Sequence, residues 1–396
     1  MQTSESIFLN HLAQTTNSPF LLDIDYAEGV YLYGKQGKAY IDMISGVAVS
    51  NVGHRHPKVV QAIKDQLDRH LHVMVYGEYI QESPNRLAER LISLLPEQLS
   101  TCYFVNSGTE ANEGALKLAK RYTGRTEIIS CRKSYHGSTH GSLSVSGNEV
   151  KKYAFRPLLP DVRFIDFNKV EDLSLITEKT ACVIIEPVQG DAGVRIPDMA
   201  YMQALRKKCD ETGALLIFDE IQTGFGRTGS LFAFEQFDVV PDILTIAKAM
   251  GGGLPIGAFI SSKEIMSQLT HDPMLGHITT FGGNPVCCAA SLACLEVITD
   301  GDLLAQVEQK GQRIEKLLNH GRVKEIRRIG MMFAIEFDRF ETVYQIVQGC
   351  LEAGVICFWF LSCPESFRIA PPLTISEEEI DKACGIIYQV IDNLDS

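Results

Sequence analysis

Short apolar runs alternate with helical stretches through the middle of the chain, and this alternation constrains the fold more than any other feature. The candidate strands are Cys102–Val105, Val183–Ile185, Leu215–Phe218, Ile243–Ile246 and Ala258–Ile260. They are apolar on both faces and bounded by Gly, Pro or Asp, which is typical of strands buried on both sides in a mostly parallel sheet. Helical patterns such as Met199–Thr212 lie between them. We therefore predict an α/β domain over residues 52–290.

The C-terminal part of the chain has a different pattern. Leu303–Leu318 is predicted to be helical and Arg327–Phe337 to be a strand. Ser376 and Glu379 form a capping box at the start of a last helix, whose apolar residues recur on one face and must pack on something. The simplest account is a smaller α+β domain over residues 291–396.

Composition excludes several classes of function. The chain has 396 residues and a net charge of −12, which argues against broad contact with nucleic acid or an anionic membrane. Its 11 cysteines show no CxxC zinc pattern, and Met1–Asn10 lack the features of a signal peptide. No apolar run approaches the roughly 18 residues of a membrane helix. We therefore expect a cytoplasmic protein with no nucleic-acid or membrane partner.

Charged residues follow two of the predicted strands. Asp219 and Glu220 come directly after one strand, and Lys248 follows the next. Ligands of open α/β sheets lie beyond the carboxyl ends of the strands. A buried lysine is costly unless it is neutralised, and imine formation neutralises it. Taken alone, Asp219 is equally a helix cap or a metal ligand, and a single lysine such as Lys248 more commonly snorkels from a strand end to the solvent.

A third feature is a helix start directly after the first predicted strand. Ser107 and Glu110 form a capping-box pattern there, and the free N–H groups of the first turn make an anion site that suits a phosphate. An ordinary capped helix is the alternative. Together the three features match the needs of pyridoxal phosphate (PLP): a carboxylate for the pyridine nitrogen, a lysine for the imine and a helix N-terminus for the phosphate.

The sequence resembles the class III aminotransferases, which are fold type I PLP enzymes, from about Tyr31 to Ile391. The most specific match is the run FDEIQTGFGRTG, from Phe218 to Gly229, with Lys248 following 29 residues after Asp219 (248 − 219). The resemblance implies a large domain with a mostly parallel sheet. It also implies a small α+β domain to which the N-terminal segment, residues 1–51, contributes.

The resemblance also implies roles for individual residues. Lys248 corresponds to the imine lysine, Asp219 to the partner of the pyridine nitrogen and Gln222 to the residue that bonds the ring hydroxyl. Tyr135 corresponds to the aromatic that stacks on the cofactor ring, and Glu186 lies beside that ring. The phosphate cup corresponds to Ser107, Gly108 and Thr109.

Two further residues carry implications beyond the cofactor. Thr280 matches a threonine that reaches the phosphate of a neighbouring subunit, which implies a homodimer with shared active sites. Arg368 matches an arginine that binds a substrate carboxylate, a task that suits the planar guanidinium group.

The chain departs from its relatives at two substrate-contacting positions. Ser138 stands where many ornithine and acetylornithine enzymes have an arginine that grips a substrate carboxylate. Asp191 stands where such relatives often have Glu, which forms a gate with the arginine at position 368. Because Asp is one methylene shorter, we expect this ion pair to be longer or absent.

The leading hypothesis for function is a PLP-dependent aminotransferase with a ping-pong mechanism. It would move an amino group from an ω-amino acid or diamine-type donor, of the acetylornithine, ornithine or 4-aminobutyrate class, to 2-oxoglutarate. One alternative is a PLP-dependent aminomutase or decarboxylase of the same fold. Another is a catalytically silent binding protein on the same scaffold.

Overall fold

A large sheet forms the centre of the computed structural model, which describes residues 3–75 and 77–394. Residues 1, 2, 76, 395 and 396, which fall within the predicted domains, lie outside the described residues. Among the described residues the sheet has seven strands in the order β4-β10-β9-β8-β7-β5-β6. Strand β10 is antiparallel to both of its neighbours, and all other pairs are parallel. The predicted α/β class with a mostly parallel sheet is confirmed.

Strands and helices are numbered separately, each in chain order. The strands are β1 (Ile24–Glu28), β2 (Tyr31–Gly34), β3 (Ala39–Asp42), β4 (Thr101–Val105), β5 (Glu127–Cys131), β6 (Val162–Ile165), β7 (Thr180–Ile185), β8 (Leu215–Asp219), β9 (Ile243–Ile246), β10 (Gly257–Ser261), β11 (Glu325–Ile329), β12 (Met332–Glu336), β13 (Val355–Ile356), β14 (Phe358–Trp359) and β15 (Ser366–Ile369). The helices are α1 (Ser4–His11), α2 (Ser45–Ala48), α3 (Pro57–Leu67), α4 (Glu82–Ser93), α5 (Gly108–Thr123), α6 (His140–Val145), α7 (Met199–Thr212), α8 (Lys263–Met266), α9 (Pro285–Thr299), α10 (Leu303–Leu317), α11 (Phe340–Ala353) and α12 (Glu377–Asp392). None of the helices within the described residues combines the length and the apolar character needed to cross a membrane.

The C-terminal region contains one hairpin where the sequence predicted one strand. Strands β11 and β12 pair in antiparallel fashion around a turn at Gly330, which has a φ of +54°. A Cβ at this position would lie 2.5 Å from the backbone of Thr228, so the turn needs glycine both for its φ and for the close approach. The single strand Arg327–Phe337 was therefore wrong. The capping box of Ser376 and Glu379 is confirmed.

The two ends of the chain share a sheet and a core. Strand β3 pairs in parallel with β13, so that Ile41 lies opposite Val355. Ile41 and Met43 also belong to a buried cluster whose other members come largely from residues 307–391. The proposed domain boundaries near residues 52 and 291 stay a prediction.

Helix α2 is a left-handed turn. Ser45, Gly46, Val47 and Ala48 have φ values of 50°, 60°, 67° and 59°. Left-handed backbone costs roughly 1–2 kcal/mol for each residue other than glycine. The Asp42 carboxylate, which accepts hydrogen bonds from the N–H groups of Ile44 and Ser45, helps to hold the turn in place.

Candidate active site

A cavity of about 540 Å³ lies beyond the carboxyl ends of β8 and β9, in front of the first turn of α5. This is where an open α/β sheet binds its ligand. Of the residues to which the family resemblance assigns a role, all but Thr280 and Arg368 line this cavity. Those in its wall are Ser107, Gly108, Thr109, Tyr135, Glu186, Asp219, Gln222 and Lys248.

Asp219 is buried at the end of β8, with 4% of its surface exposed. Its Oδ2 accepts hydrogen bonds from Asn112 Nδ2 at 2.8 Å and from His136 Nδ1 at 2.7 Å. Its Oδ1 accepts from the backbone N–H of Ile221 at 3.1 Å. Within residues 3–75 and 77–394 no group of three or more His, Cys, Asp or Glu could hold a metal ion. The Asp219 carboxylate is thus held by an amide, a backbone N–H group and a histidine ring.

Lys248 begins a short 3₁₀ turn just after β9 and has a left-handed φ of 48°. Burial lowers the pKa of its ammonium group, against the opposing effect of Asp219. The nearby guanidinium of Arg368 lowers this pKa further, whereas Glu186 raises it. A lysine with a lowered pKa is a better nucleophile at neutral pH, because more of it is unprotonated.

The start of α5 has the shape of an anion cradle. Ser107 is the N-cap of this 16-residue helix, and its hydroxyl accepts from the N–H of Glu110. The predicted capping box is only half formed, because the Glu110 carboxylate accepts from the N–H of Asn106 at 2.6 Å rather than from that of Ser107. A Cβ at Gly108 would lie 2.7 Å from Ile221 Cδ1, so glycine allows this close approach.

The Glu186 side chain is hydrogen-bonded to the backbone of Tyr135. Glu186 Oε2 accepts from the N–H of Tyr135 and Oε1 from the N–H of Gly190, both at 3.2 Å. Burial raises the pKa of Glu186 well above its usual range, and the charge of Asp219 adds to this effect. The Tyr135 side chain is 44% exposed, with its hydroxyl 3.2 Å from Ser138 Oγ.

Gln222 lies in the cavity wall where two loops approach each other closely. A Cβ at Gly190 would be 2.3 Å from Gln222 Oε1, so this approach also depends on glycine. Glu220, the second carboxylate after β8, does not line the cavity and accepts from the N–H groups of Ala233 and Phe234. Of the two adjacent carboxylates, only Asp219 belongs to the site.

Arg368 lies on β15 and is paired with Asp191, contrary to the sequence-based expectation. Arg368 Nη2 is 2.9 Å from Asp191 Oδ1, and both side chains are less than a tenth exposed. The loop that carries Asp191 folds back on itself, since the N–H groups of Gly193 and Val194 both donate to the carbonyl oxygen of Gly190 at 3.3 Å and Val194 has a φ of 53°. The guanidinium also lies 4.4 Å from the centre of the Phe360 ring.

Thr280 is exposed and lies outside the cavity of its own chain. It follows Thr279, whose hydroxyl accepts a hydrogen bond from Asn106 at 3.0 Å. Its predicted contact with a neighbouring subunit stays a prediction.

Sequence reasoning missed Asn112 and His136. Asn112 donates to both Asp219 and the carbonyl oxygen of His136, and its own Oδ1 accepts from Thr245. Both lie within motifs recognised for other residues, so their buried polar character was the available signal. His136 Nε2 is also buried and has no hydrogen-bond partner within the described part of the chain.

Comparison with known families and proteins gives a consistent result. The model of the family "Aminotransferase class-III" matches residues 12–391. Acetylornithine aminotransferase of Methanocaldococcus jannaschii is 39% identical over 381 residues, covering 93% of this chain and 92% of that protein. The enzyme of the same name from Clostridium acetobutylicum is also 39% identical and covers 95% of this chain and 98% of its own.

Solved structures of related enzymes share the whole fold. Ornithine aminotransferase of Toxoplasma gondii superposes with a TM-score of 0.91 at 28% identity, covering 99% of this chain and 95% of its own. Adenosylmethionine-8-amino-7-oxononanoate aminotransferase of Methanocaldococcus jannaschii gives 0.91 at 28% identity, with 99% of both chains covered. These similar proteins carry names with different substrates, so fold similarity alone does not select a donor.

Proposed function

Because the chain belongs to the class III aminotransferase family, we propose that it moves an amino group from an ω-amino acid or diamine-type donor to 2-oxoglutarate by a ping-pong mechanism. The chain is an aminotransferase, and pyridoxal phosphate is its cofactor. The donor belongs to the acetylornithine, ornithine or 4-aminobutyrate class. The single observation that carries the proposal is the meeting of Lys248, Asp219 and the α5 N-terminus in one cavity.

The cavity residues fit this cofactor. The first turn of α5 offers free N–H groups, and glycines 108 and 190 leave room where a Cβ would collide with neighbouring side chains. In this proposal Ser107, Gly108 and Thr109 bind the phosphate, Gln222 the ring hydroxyl and Asp219 the pyridine nitrogen. Tyr135 stacks on the ring, with Glu186 beside it.

When bound, pyridoxal phosphate supplies an electron sink for the carbon that carries the donor's amino group. Lys248 holds the cofactor and then moves the proton at that carbon, for which its lowered pKa is suited. Asn112 and His136 fix the Asp219 carboxylate, so that it meets the ring nitrogen in one orientation.

Arg368 is proposed to bind the carboxylate of the oxo acid. It is the guanidinium whose charge lowers the pKa of Lys248, so it lies near the reacting lysine. In the structure the Arg368 guanidinium is bound to the Asp191 carboxylate, and a substrate carboxylate would take the place of Asp191. Ser138, a neutral hydroxyl, offers no second cation on the Tyr135 side of the cavity.

The assembly and location complete the proposal. A homodimer would let Thr280 contribute to the phosphate site of a second subunit, and it would cover exposed apolar side chains such as Ile80 and Phe281. The free cysteines, most of them buried, support a reducing, cytoplasmic location.

Replacing Lys248 with Ala tests the proposal. We expect the wild type to retain pyridoxal phosphate, visible by its near-UV/visible absorbance, and Lys248→Ala to lose turnover by at least about 10³-fold because no other group occupies its position. The control is Lys263→Ala, an exposed lysine at the start of α8. Cycling of Lys248→Ala at the wild-type rate would refute the assignment.

A half-reaction screen then identifies the donor. The cofactor-loaded protein is mixed with ornithine, acetylornithine, 4-aminobutyrate, lysine, diaminopelargonate and other amines, and the loss of the cofactor absorbance band is followed. Turnover only when 2-oxoglutarate is added separately supports an aminotransferase cycle, whereas turnover without any oxo acid would indicate a mutase or a decarboxylase.

A further inference from the structure

The Asp191 carboxylate is held at three points. Its Oδ1 accepts from Arg368 Nη2 at 2.9 Å and from the backbone N–H of Leu361 at 3.3 Å. Its Oδ2 accepts from Ser362 Oγ at 2.9 Å. Leu361 and Ser362 lie in the loop between β14 and β15, so the β15 arginine and the loop that precedes it bind the same carboxylate.

The Ser362 hydroxyl has a fixed direction. Asn148 Nδ2 is 3.0 Å from Ser362 Oγ and can only donate to it. A serine hydroxyl carries one proton, and an ionised carboxylate can only accept. The proton of Ser362 is therefore directed to Asp191, and Asn148 supplies the bond on the other side of the oxygen.

The backbone that carries Asp191 is anchored as well. Arg327 Nε donates to the carbonyl oxygen of Gly193 at 2.6 Å, and Arg327 Nη1 pairs with Glu336 at 2.6 Å. The short aspartate side chain thus has little freedom to swing away. Arg368, in contrast, gives Asp191 only one of its nitrogens, and its Nε is buried without a partner among the described residues.

From this geometry we propose that Ser362 is a positioning residue of the acceptor half-reaction. It keeps the Asp191 carboxylate satisfied when Arg368 leaves it for the carboxylate of the oxo acid. The inference rests on the proposed role of Arg368. We call the state in which Arg368 is paired with Asp191 the closed state, and the state in which Arg368 binds the oxo acid the open state. In the closed state Asp191 has a cation and two neutral donors, and in the open state it keeps only the Leu361 N–H and the Ser362 hydroxyl.

The sign of the effect follows from this difference. The Ser362 hydrogen bond exists in both states, but it is worth more in the open state, where no cation neutralises the carboxylate. Removing it should therefore raise the free energy of the open state more than that of the closed state. The donor half-reaction is unaffected wherever the donor does not use Arg368.

The test is a kinetic comparison of Ser362→Ala and Ser362→Thr in the cofactor-loaded protein. We expect Ser362→Ala to raise KM for 2-oxoglutarate about fivefold, because only the difference in strength of this hydrogen bond between the two states affects binding, with kcat and the rate of the donor half-reaction within about twofold of wild type. Ser362→Thr, which keeps the hydroxyl, should restore KM. The control is Ser174→Ala, an exposed serine whose hydroxyl donates only to the carbonyl oxygen of Glu171.

Other outcomes overturn the inference. If Ser362→Ala slows both half-reactions equally, or lowers thermal stability without changing the ratio of KM to kcat, Ser362 has only a structural role. A parallel Arg368→Gln variant separates this failure from that of the function. If Arg368→Gln impairs the acceptor half-reaction and Ser362→Ala does not, only the inference fails. If Arg368→Gln uses 2-oxoglutarate as well as wild type, the role of Arg368 and the inference fail together.

Discussion

At the scale of single residues, the cavity depends on polar side chains that hold other polar side chains. Asn112 donates to Asp219 and to the carbonyl oxygen of His136, and it accepts from Thr245. It is fully buried, so a side chain of the same shape without these groups would leave its partners unsatisfied. The orientation of Asp219 toward a ligand therefore depends on a residue outside the cavity wall.

The first residue-scale prediction concerns Asn112→Leu. We expect a loss of about 1–3 kcal/mol in the free energy of unfolding, because the buried Asp219 and Thr245 lose hydrogen-bond partners. Pyridoxal phosphate should also dissociate faster. Thermal unfolding and dialysis followed by absorbance measure the two effects, with the exposed Asn319→Leu as the control. Unchanged cofactor retention in Asn112→Leu would show that Asp219 does not need this support.

The residues that could be predicted from sequence were those that are costly to bury. Lys248 and Asp219 are charged groups at the ends of apolar strands, and that position alone suggests chemistry. The partners of Asp219 come from residues 83 and 107 positions away, a separation over which a single sequence gives no contact information. The Asp191–Arg368 pair was misjudged for a related reason, since side-chain length says nothing about how closely the backbone approaches.

At the scale of elements, two adjacent carboxylates at the end of β8 have different roles. Asp219 enters the cavity, whereas Glu220 ties the strand end to the 3₁₀ turn Ala233–Gln236 by accepting from its N–H groups. Burial raises the pKa of Glu220 to about 7, although hydrogen bonds from Thr223 and the backbone oppose this shift.

The pKa of Glu220 predicts a pH dependence of stability. Between its ordinary value of 4.5 and about 7, the folded chain holds a proton that the unfolded chain has released. The contribution of Glu220 to the free energy of unfolding therefore falls as pH rises through this window, by at most about 1.4 kcal/mol per pH unit. Glu220→Gln should remove this slope, whatever its effect on absolute stability. Denaturant unfolding across the window measures it, and an equal slope in both proteins would contradict the assignment.

Element boundaries were predictable where a single period ran unbroken. Helix α7 has the predicted limits, and the predicted strands of the central sheet all occur. The β11–β12 hairpin was not recognised, because its apolar residues continue through the turn and only Gly330 interrupts them. Part of the need for glycine there comes from the backbone of Thr228, a neighbour far away in sequence.

At the scale of the whole molecule, three parts of the chain meet at Arg227. Its guanidinium donates to Asn51 Oδ1, to the carbonyl oxygen of Met331 and to that of Pro371. It is completely buried, and burial lowers its pKa to about 9. The loop that carries Gln222 is thus fastened to both the N-terminal and the C-terminal segments.

The whole-molecule prediction concerns the assembly. If Thr280 completes the phosphate site of a neighbouring subunit, Thr280→Val should weaken retention of pyridoxal phosphate about tenfold, although Thr280 lies outside the cavity of its own chain. Equilibrium dialysis measures this retention, and sedimentation confirms that the variant still dimerises. The control is Thr270→Val, which makes the same substitution at another exposed threonine. Unchanged retention in a Thr280→Val dimer would rule out the shared site.

The pairing of β3 with β13 has a consequence for how the protein is made. Ile41 on β3 can pair with Val355 on β13 only after Val355 has been synthesised. The ribosome therefore synthesises nearly the entire chain before the small sheet can form completely. Throughout synthesis the edge of β3 is open to other nascent chains, which is the circumstance that favours aggregation. A chain released early, before β13, would leave this edge uncovered permanently, so incomplete copies of the protein are expected to be substrates for chaperones and proteases.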